Sequence, residues 1–432
     1  MIERPKGTRD FGPEEMARRQ YLKAAFSSVA GRFGYREVAT PTFEHAELFI
    51  AKSGPSVVEE MYVFEDKAGR RLALRPELTA PVMRFYIREL RSMPKPLKLY
   101  YMGRCYRYDE PQFGRYREFY QFGVEILGGD PLASDAEVIA TAVEAVKEAG
   151  LKGFQLRVGH IGLIREILPV DPSRKAEIIT RLDKKDTDGL RRELRAAGIV
   201  EMEETLLELV GLKGGLEVLD RASEILEEGS VRREAAEGRR EVEVGGLDYL
   251  RKLAERLKVY GLMDIVYDLG VVRGLDYYTG MVFELHYDPL GTASQICGGG
   301  SYSLTEILGG EPLPTTGFGM GFDRVLLALE RAEVRLPAAG LDAFVIPIGD
   351  HMTVAGYEVL RVIREAGSSA DVDLIGRGPS KNLEFAHAVR ARFAILVGEK
   401  EWKEGKVAVK DMESGEQRDV ELDRLPSVFE GT

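Results

Sequence analysis

Four arginines stand among tyrosines and phenylalanines in RCYRYDEPQFGRYREFYQFGVE, residues 104–125. Arg104 and Arg107 precede a loop containing Pro111 and Gly114; Arg115 and Arg117 follow it. If both arms are extended, alternation sets Arg115, Arg117 and Phe119 on one face, and Arg107 and Asp109 on one face of the opposing arm. Guanidinium forks grip phosphate oxygens, and a ring stacks on a base. The pattern therefore suits a nucleoside triphosphate, although a solvated charged hairpin would share the alternation.

Three further segments suggest close approach to a ligand. In VVRGLDYYTG, Arg273 and Asp276 lie beside glycines and are followed by Tyr277 and Tyr278. In ICGGGSY, glycines 298–300 interrupt a strand pattern, as expected where a ligand or another backbone comes close. In GFGMGFDRVLLALE, a glycine-rich strand runs into a helix and brings Arg324 to its start. None has the spacing of a Walker loop or a dinucleotide fingerprint. No Ser-His-Asp arrangement is evident, and Cys105 and Cys297 read as small buried residues. Arginines without a nucleophile suggest catalysis by positioning and by electrostatic stabilisation of a charged transition state.

The elements that would hold these residues follow from periodicity. Residues 13–33 read as a helix, with Leu22, Phe26, Val29 and Phe33 on one stripe. YREVATP, MYVFED, RLALRP, LKLYYMGRCYRY and REFYQFGVEILG read as antiparallel strands. A helix is expected over 135–150, starting near Asp135 and ending at Gly150. From about 165 to 258 the chain is charged and helix-prone, then IVYDLG, MVFELHYD and SQICGGGSY restore the strand pattern. After a linker near Pro337, strands and helices alternate: AFVIPI, TVAGYEVLRVIREAG, VDLIG, LEFAHAVR and FAILVG, then a hairpin of KVAVKD and RDVEL. The expected domains are 1–164 and 259–335, interrupted by a helical insertion at 165–258, and a last domain at 341–432.

Composition narrows the class. The 432 residues carry 60 Lys and Arg against 71 Asp and Glu, a net charge of -11. That balance disfavours a sequence-blind nucleic-acid coat, which needs a broadly basic surface. Two cysteines make no disulfide framework, and with five histidines out of ligand spacing they suggest no zinc site. No metal-ligating residues are expected. No apolar run is long enough to span a bilayer. A cytoplasmic, multidomain enzyme with no membrane partner is the expectation.

Taken in order, these segments resemble the three motifs of class II aminoacyl-tRNA synthetases and, more narrowly, the histidyl-tRNA synthetase family. KGTRDF, LALRPELTAPVMR, YRYDEPQFGRYREFYQFGVE, VRGLDYYTG, QICGGGSY and GFGMGFDR all match that family in order. NLEFAHAVRARFAILVGEKEWKEGKVAVKDMESGEQ resembles its anticodon-binding domain. The resemblance implies an α+β fold: an antiparallel sheet flanked by helices, a helical insertion, and a C-terminal α/β anticodon-binding domain. It implies a histidine–tRNA ligase using ATP and Mg²⁺, with L-histidine and tRNA(His) as substrates. It also implies a homodimer through the first motif, around YREVATPTFEHAEL.

Residue by residue, the resemblance gives Arg107 the ATP α-phosphate, Asp109 the adenine amino group, and Phe119 one face of adenine. Arg324 takes the other face and, with Arg115, the terminal phosphates. Arg273 would contact the α-phosphate from the histidine side, making Arg107 and Arg273 the catalytic pair. Glu77, Thr79 and Gln121 would hold the α-amino group. Glu125 and Tyr278 would hold the imidazole, and Tyr277 would line the same pocket. A carboxylate and a phenol can accept from and donate to the two ring nitrogens. Two departures stand out: Glu110 and Ser301 occupy positions where the family more often has Arg. A rival assignment is the non-catalytic regulatory subunit of ATP phosphoribosyltransferase, which shares the fold but typically lacks the C-terminal domain. Another is a class II synthetase for threonine, proline or glycine, against which VRGLDYY speaks.

Overall fold

The computed structural model describes residues 2–110, 113–183, 186–237, 245–271 and 278–429. The chain divides into two units, Met1–Asp10 with Arg19–Arg335, and Phe11–Arg18 with Leu336–Thr432.

The first helix, α1 (Pro13–Arg32), has proline at its first position, Glu14 and Glu15 in its first turn and Arg32 in its last. That charge order complements the helix dipole. Its stripe of Leu22, Phe26 and Val29 is fully buried. The short β1 (Arg36–Glu37) follows. Then β2 (Phe43–His45), β3 (Val63–Glu65) and β4 (Arg71–Leu74) form a separate three-stranded sheet in the order β2-β4-β3, with α2 (Ala46–Ser53) inserted after β2. The helix α3 (Thr79–Phe85) leads into two ten-residue strands, β5 (Leu97–Tyr106) and β6 (Glu118–Leu127), paired antiparallel from end to end.

The helix α4 (Pro131–Glu148) starts four residues before the expected position. Asp130 caps it by accepting from the Ala133 amide at 2.9 Å, with proline at the first position. Asp135, expected near the start, is instead a buried residue inside the helix. Next comes β7 (Gln155–His160). A helical excursion follows: α5 (Ile161–Ile167), α6 (Pro172–Asp183), α7 (Thr187–Ala197), α8 (Met202–Gly211), α9 (Glu217–Glu237) and α10 (Gly245–Val259). It carries one short strand that the helical pattern hid, β8 (Lys213–Gly214). The chain returns through β9 (Ile265–Asp268), β10 (Tyr278–His286), β11 (Gln295–Tyr302) and β12 (Thr315–Gly321), and ends this unit in α11 (Phe322–Arg331).

The main sheet runs β1-β5-β6-β12-β11-β10-β7-β9-β8. It is antiparallel from β5 through β7, as the strand patterns predict. The pairs β1–β5 and β7–β9 are parallel, against the expectation of antiparallel strands throughout. Each parallel pair is joined by a connection of many residues, long enough to cross back over the sheet. One face packs on α1 and α11, where the Phe26 and Phe122 rings stack at 4.7 Å and Phe322 meets Phe26 edge-on at 5.8 Å. The other face holds the site.

The second unit is an α/β sheet of β13 (Leu341–Pro347), β14 (Ala370–Val372), β15 (Ala391–Val397), β16 (Lys406–Asp411) and β17 (Gln417–Glu421), ordered β14-β13-β15-β16-β17. The helix α12 (Thr353–Glu365) buries Val359 and Ile363 with Val345 and Ile395 on one face. The helix α13 (Pro379–Ala388) packs Ala386 against Phe344 and Ala394 on the other. The VDLIG strand ends at Val372, earlier than its pattern suggests. The Asp373 carboxylate accepts from the Ile375 amide at 3.2 Å and pairs with Arg377 at 2.7 Å, turning the chain away from the sheet. A short helix, α14 (Glu399–Lys403), precedes the closing hairpin of β16 and β17.

Candidate active site

Strand alternation puts Phe119, Gln121, Gly123 and Glu125 on one face of β6. Their cross-strand partners are Cys105, Gly103, Tyr101 and Leu99 on β5, and Gly321, Gly319 and Gly317 on β12. Two of these glycines are required by close approach. A Cβ at 123 would lie 2.5 Å from the Tyr101 ring, and a Cβ at 317 would fall inside the envelope of Glu125 Oε2. The bare backbone lets both side chains lie across neighbouring strands.

Glu125 is 1% exposed. Tyr101 donates to its Oε1 at 2.8 Å and Tyr302 to its Oε2 at 2.6 Å. Burial pushes the carboxyl up to about 7, and the hydroxyls of Tyr302, Tyr101 and Thr79 and the charge of Lys52 pull it back. The phenol of Tyr101 is itself raised well above its ordinary value, by burial and then by the Glu125 charge. Thr79 Oγ1 lies 3.2 Å from the Tyr101 hydroxyl, extending the network. Glu77 accepts from the Thr79 amide at 2.7 Å and the Ala80 amide at 3.1 Å, holding the first turn of α3. Its charge is met by Lys52 at 2.9 Å, itself buried. The Cys105 thiol donates to Gln121 Oε1 at 3.5 Å and is pushed up to about 12 by burial, which suits its expected inert role.

The arginines gather at the hairpin end. Arg107 donates to the Pro76 carbonyl at 3.0 Å and lies 5.2 Å from the Phe119 ring centre. Arg324 donates to the Gly114 and Gln295 carbonyls at 3.1 and 2.7 Å. Its pKa is lowered by burial and then by the charges of Arg115 and Arg107. Three guanidinium groups thus share one field, and among the described residues no carboxylate pairs with any of them. Such an excess attracts a polyanion.

Not every residue of the hairpin joins that group. Arg117 donates to the Asp109 carbonyl at 3.0 Å and stacks 4.4 Å from the Tyr108 ring, so it braces the loop. Asp109 is half-buried on the same arm as Arg107. Glu110 pairs with Lys6 at 3.5 Å on the surface. Tyr278 is 5% exposed, with its ring edge-on to Tyr302 at 6.4 Å. Arg273 and Tyr277 lie outside the described residues.

A family model described as histidyl-tRNA synthetase matches residues 7–325, and one described as anticodon binding domain matches residues 342–432. The chain belongs to the histidyl-tRNA synthetase family. It is 43% identical over 431 residues to the histidine–tRNA ligase of Archaeoglobus fulgidus, covering 99% of this chain and all of that relative. It is 41% identical over 438 residues to the histidine–tRNA ligase of Methanosphaerula palustris, covering both chains completely. The solved apo histidyl-tRNA synthetase of S. aureus matches with a TM-score of 0.70 at 29% identity over the full length of both chains.

Set within that family, the geometry adds residues the sequence reading left out. Tyr101 and Tyr302 hold both oxygens of Glu125, and Lys52 neutralises Glu77. Asp323 accepts from Arg9 at 2.6 Å, Arg19 at 2.7 Å and the Tyr120 amide at 2.8 Å, tying the N-terminal segment and α1 to the strand that carries the site. The alternation of β5 placed Tyr101 on the site face. Nothing in the sequence signalled the pairing of Asp323 with residues some three hundred positions away.

Proposed function

We propose that this chain is a histidine–tRNA ligase. It joins the carboxylate of L-histidine to the α-phosphate of ATP, releases pyrophosphate, and passes the histidyl group to the 3′ end of tRNA(His) as AMP leaves. One observation carries the reading. An arginine group with no carboxylate partner among the described residues gathers at the hairpin end of β5 and β6, and further along their face lies a buried carboxylate whose oxygens are fixed by two phenols.

Phe119, Gln121 and Glu125 lie along one strand, spanning roughly 20 Å at the usual rise per residue. An extended histidyl-adenylate would lie along that line. Adenine stacks on Phe119 with Arg324 on its other face and Asp109 at its amino group. Arg115 and Arg324 take the terminal phosphates. Glu77, Thr79 and Gln121 hold the α-amino group. Glu125 accepts from the imidazole, and Tyr278 and Tyr277 complete the ring pocket. Arg107 and Arg273 flank the α-phosphate. The attack needs no protein nucleophile: the substrate carboxylate forms the bond to phosphorus while the bond to pyrophosphate breaks. The arginines stabilise the charge that builds on the equatorial oxygens.

Mg²⁺ would accompany the nucleotide, held by the substrate phosphates together with one or two carboxylates. When bound, it adds charge neutralisation at the phosphates.

The catalytic domain occupies 1–164 and 259–335, with the helical insertion at 165–258 and the anticodon-binding domain at 341–432. Retention of that last domain, matched over 342–432, favours a ligase over a regulatory subunit. The working form is a homodimer joined around YREVATPTFEHAEL, in the cytoplasm. Among the described residues no helix is long and apolar enough to cross a membrane.

Amino-acid-dependent pyrophosphate exchange with all twenty amino acids tests the reading. Histidine alone should support exchange. Exchange with a different amino acid, or with none, would overturn it.

A further inference from the structure

A cavity of about 400 Å³ lies on the sheet face opposite Glu125. Ile126, Ser301 and Thr316 line it, and each alternates with a residue of the site face. Asp135 of α4, His160 at the end of β7 and Tyr249 of α10 close it where the helical excursion leaves and rejoins the sheet.

The wall is chemically lopsided. Asp135 is fully buried, and its Oδ2 accepts from the Tyr249 and Ser301 hydroxyls, both at 2.6 Å. Its Oδ1, together with His160 Nδ1 and Thr316 Oγ1, is buried with no hydrogen-bond partner. The Thr316 hydroxyl approaches the carboxylate closely enough to favour its charge, yet stays outside bonding geometry. Native structures rarely leave buried polar atoms unmatched, so each one calls for a partner such as a water, an ion or a ligand group. Burial lowers His160 to about 4, so it is neutral. Among the described wall residues there is no lysine or arginine. The remainder of the wall is largely apolar, including Met281 and Leu313.

We propose that this cavity is a second ligand site, taking a small organic cation that presents N–H donors to Asp135 and a flat apolar body to the rest of the wall. Water alone would satisfy polar atoms but gains nothing from the apolar lining. An anion would meet a carboxylate with no counter-charge. A cation with two or more N–H groups would satisfy Asp135 Oδ1 and His160 Nδ1 or Thr316 Oγ1 once the wall yields enough to admit it, since these atoms are closed off in the ligand-free cavity. The site lies behind the sheet, although Tyr302, which holds Glu125 Oε2, also lines it.

Benzamidine is a suitable probe, and benzamide its neutral counterpart. Calorimetry on the full chain at pH 8, with saturating histidine to block the imidazole pocket, should show saturable benzamidine binding at one site. Benzamide should bind at least tenfold more weakly. Asp135→Asn keeps an acceptor for Tyr249 and Ser301 but removes the charge, and should lose at least tenfold for benzamidine. Leu313→Trp fills the cavity while keeping the Asp135 carboxylate, and should lose as much even if Asp135→Asn fails to fold. No saturable heat would mean a cavity that holds water only. That result, displacement of benzamidine by histidine, or unchanged affinity in Leu313→Trp would each overturn the proposal.

Discussion

The Tyr101 hydroxyl reaches Glu125 Oε1 at 2.8 Å from the neighbouring strand, its ring lying over the bare backbone of Gly123. With Tyr302 on the other oxygen, the carboxyl group cannot rotate away from the sheet face. A preset acceptor is what discrimination by hydrogen bonding requires, because a substrate lacking the matching donor leaves a buried polar group unpaired.

Histidine recognition should therefore depend on Glu125 far more than ATP recognition does. Glu125→Gln should weaken histidine binding by at least tenfold, about 1.4 kcal/mol, with little change for ATP. Calorimetry with each substrate separately checks this. Equal losses for both would point to a general collapse of the sheet.

Glu125 also sets a pH dependence. Its folded-state pKa is raised to about 7 from 4.5, chiefly by burial. The folded protein thus holds that proton more tightly than the unfolded chain. The resulting stabilisation is complete below about pH 4.5 and disappears as pH rises to about 7, a change on the order of 3 kcal/mol. Glu125→Gln does not titrate there. Melting curves of the ligand-free proteins should converge or cross in the variant's favour between these pH values. Asp135, also raised, contributes equally to both and cancels.

Gly317→Ala should be harmful although it adds one methyl group. The new Cβ would collide with Glu125 Oε2 and crowd the Val124 carbonyl, which is backbone and cannot swing aside. Overpacking of this kind costs about 1–3 kcal/mol, and here it should also displace Glu125, the proposed imidazole acceptor. Gly211→Ala, where a Cβ meets nothing within 4 Å, is the control. Only the first should lower both melting temperature and histidine affinity.

Arg324→Lys should separate charge from geometry. Lysine keeps a positive group but cannot bridge the Gly114 and Gln295 carbonyls as the guanidinium does. Single-turnover adenylation should slow by about 10²-fold, the scale for one misplaced preorganised donor. A near-normal rate would remove its planar geometry from the mechanism.

A chain ending at Arg335 should retain histidine-dependent pyrophosphate exchange and lose most tRNA charging. The first unit carries the whole site face, whereas the anticodon-binding match begins at residue 342. Equal charging by truncated and full-length proteins would refute the anticodon role.

Much of this was legible in the residues. Period-two alternation placed Arg115, Arg117 and Phe119 on one face, the family resemblance added Gln121 and Glu125 to the site, and the glycines at 298–300 signalled a close approach. What alternation cannot supply is which strand lies next door. Tyr101 and Tyr302 look like ordinary core tyrosines until β5 and β11 are set in register. Arg117 carried the same pattern as Arg115, but a nearby peptide carbonyl and the Tyr108 ring claimed it. The start of α4 lies before the expected Asp135 because Asp130 caps the helix and proline at 131 suits its first position. Partners separated by hundreds of residues, such as Arg9 and Asp323, leave no local trace.

The bare positions at 123 and 317 bear on how such a pocket could acquire a new substrate. The acceptor and the empty space it occupies belong to different strands, so neither can be exchanged alone. Enlarging position 317 evicts the acid, and shortening position 125 opens a void that nothing on β12 fills. A change of amino-acid specificity would have to pass through coordinated replacements on two strands, with the intermediate serving neither substrate well. The pairing thereby acts as a ratchet, making the existing preference hard to lose by single steps.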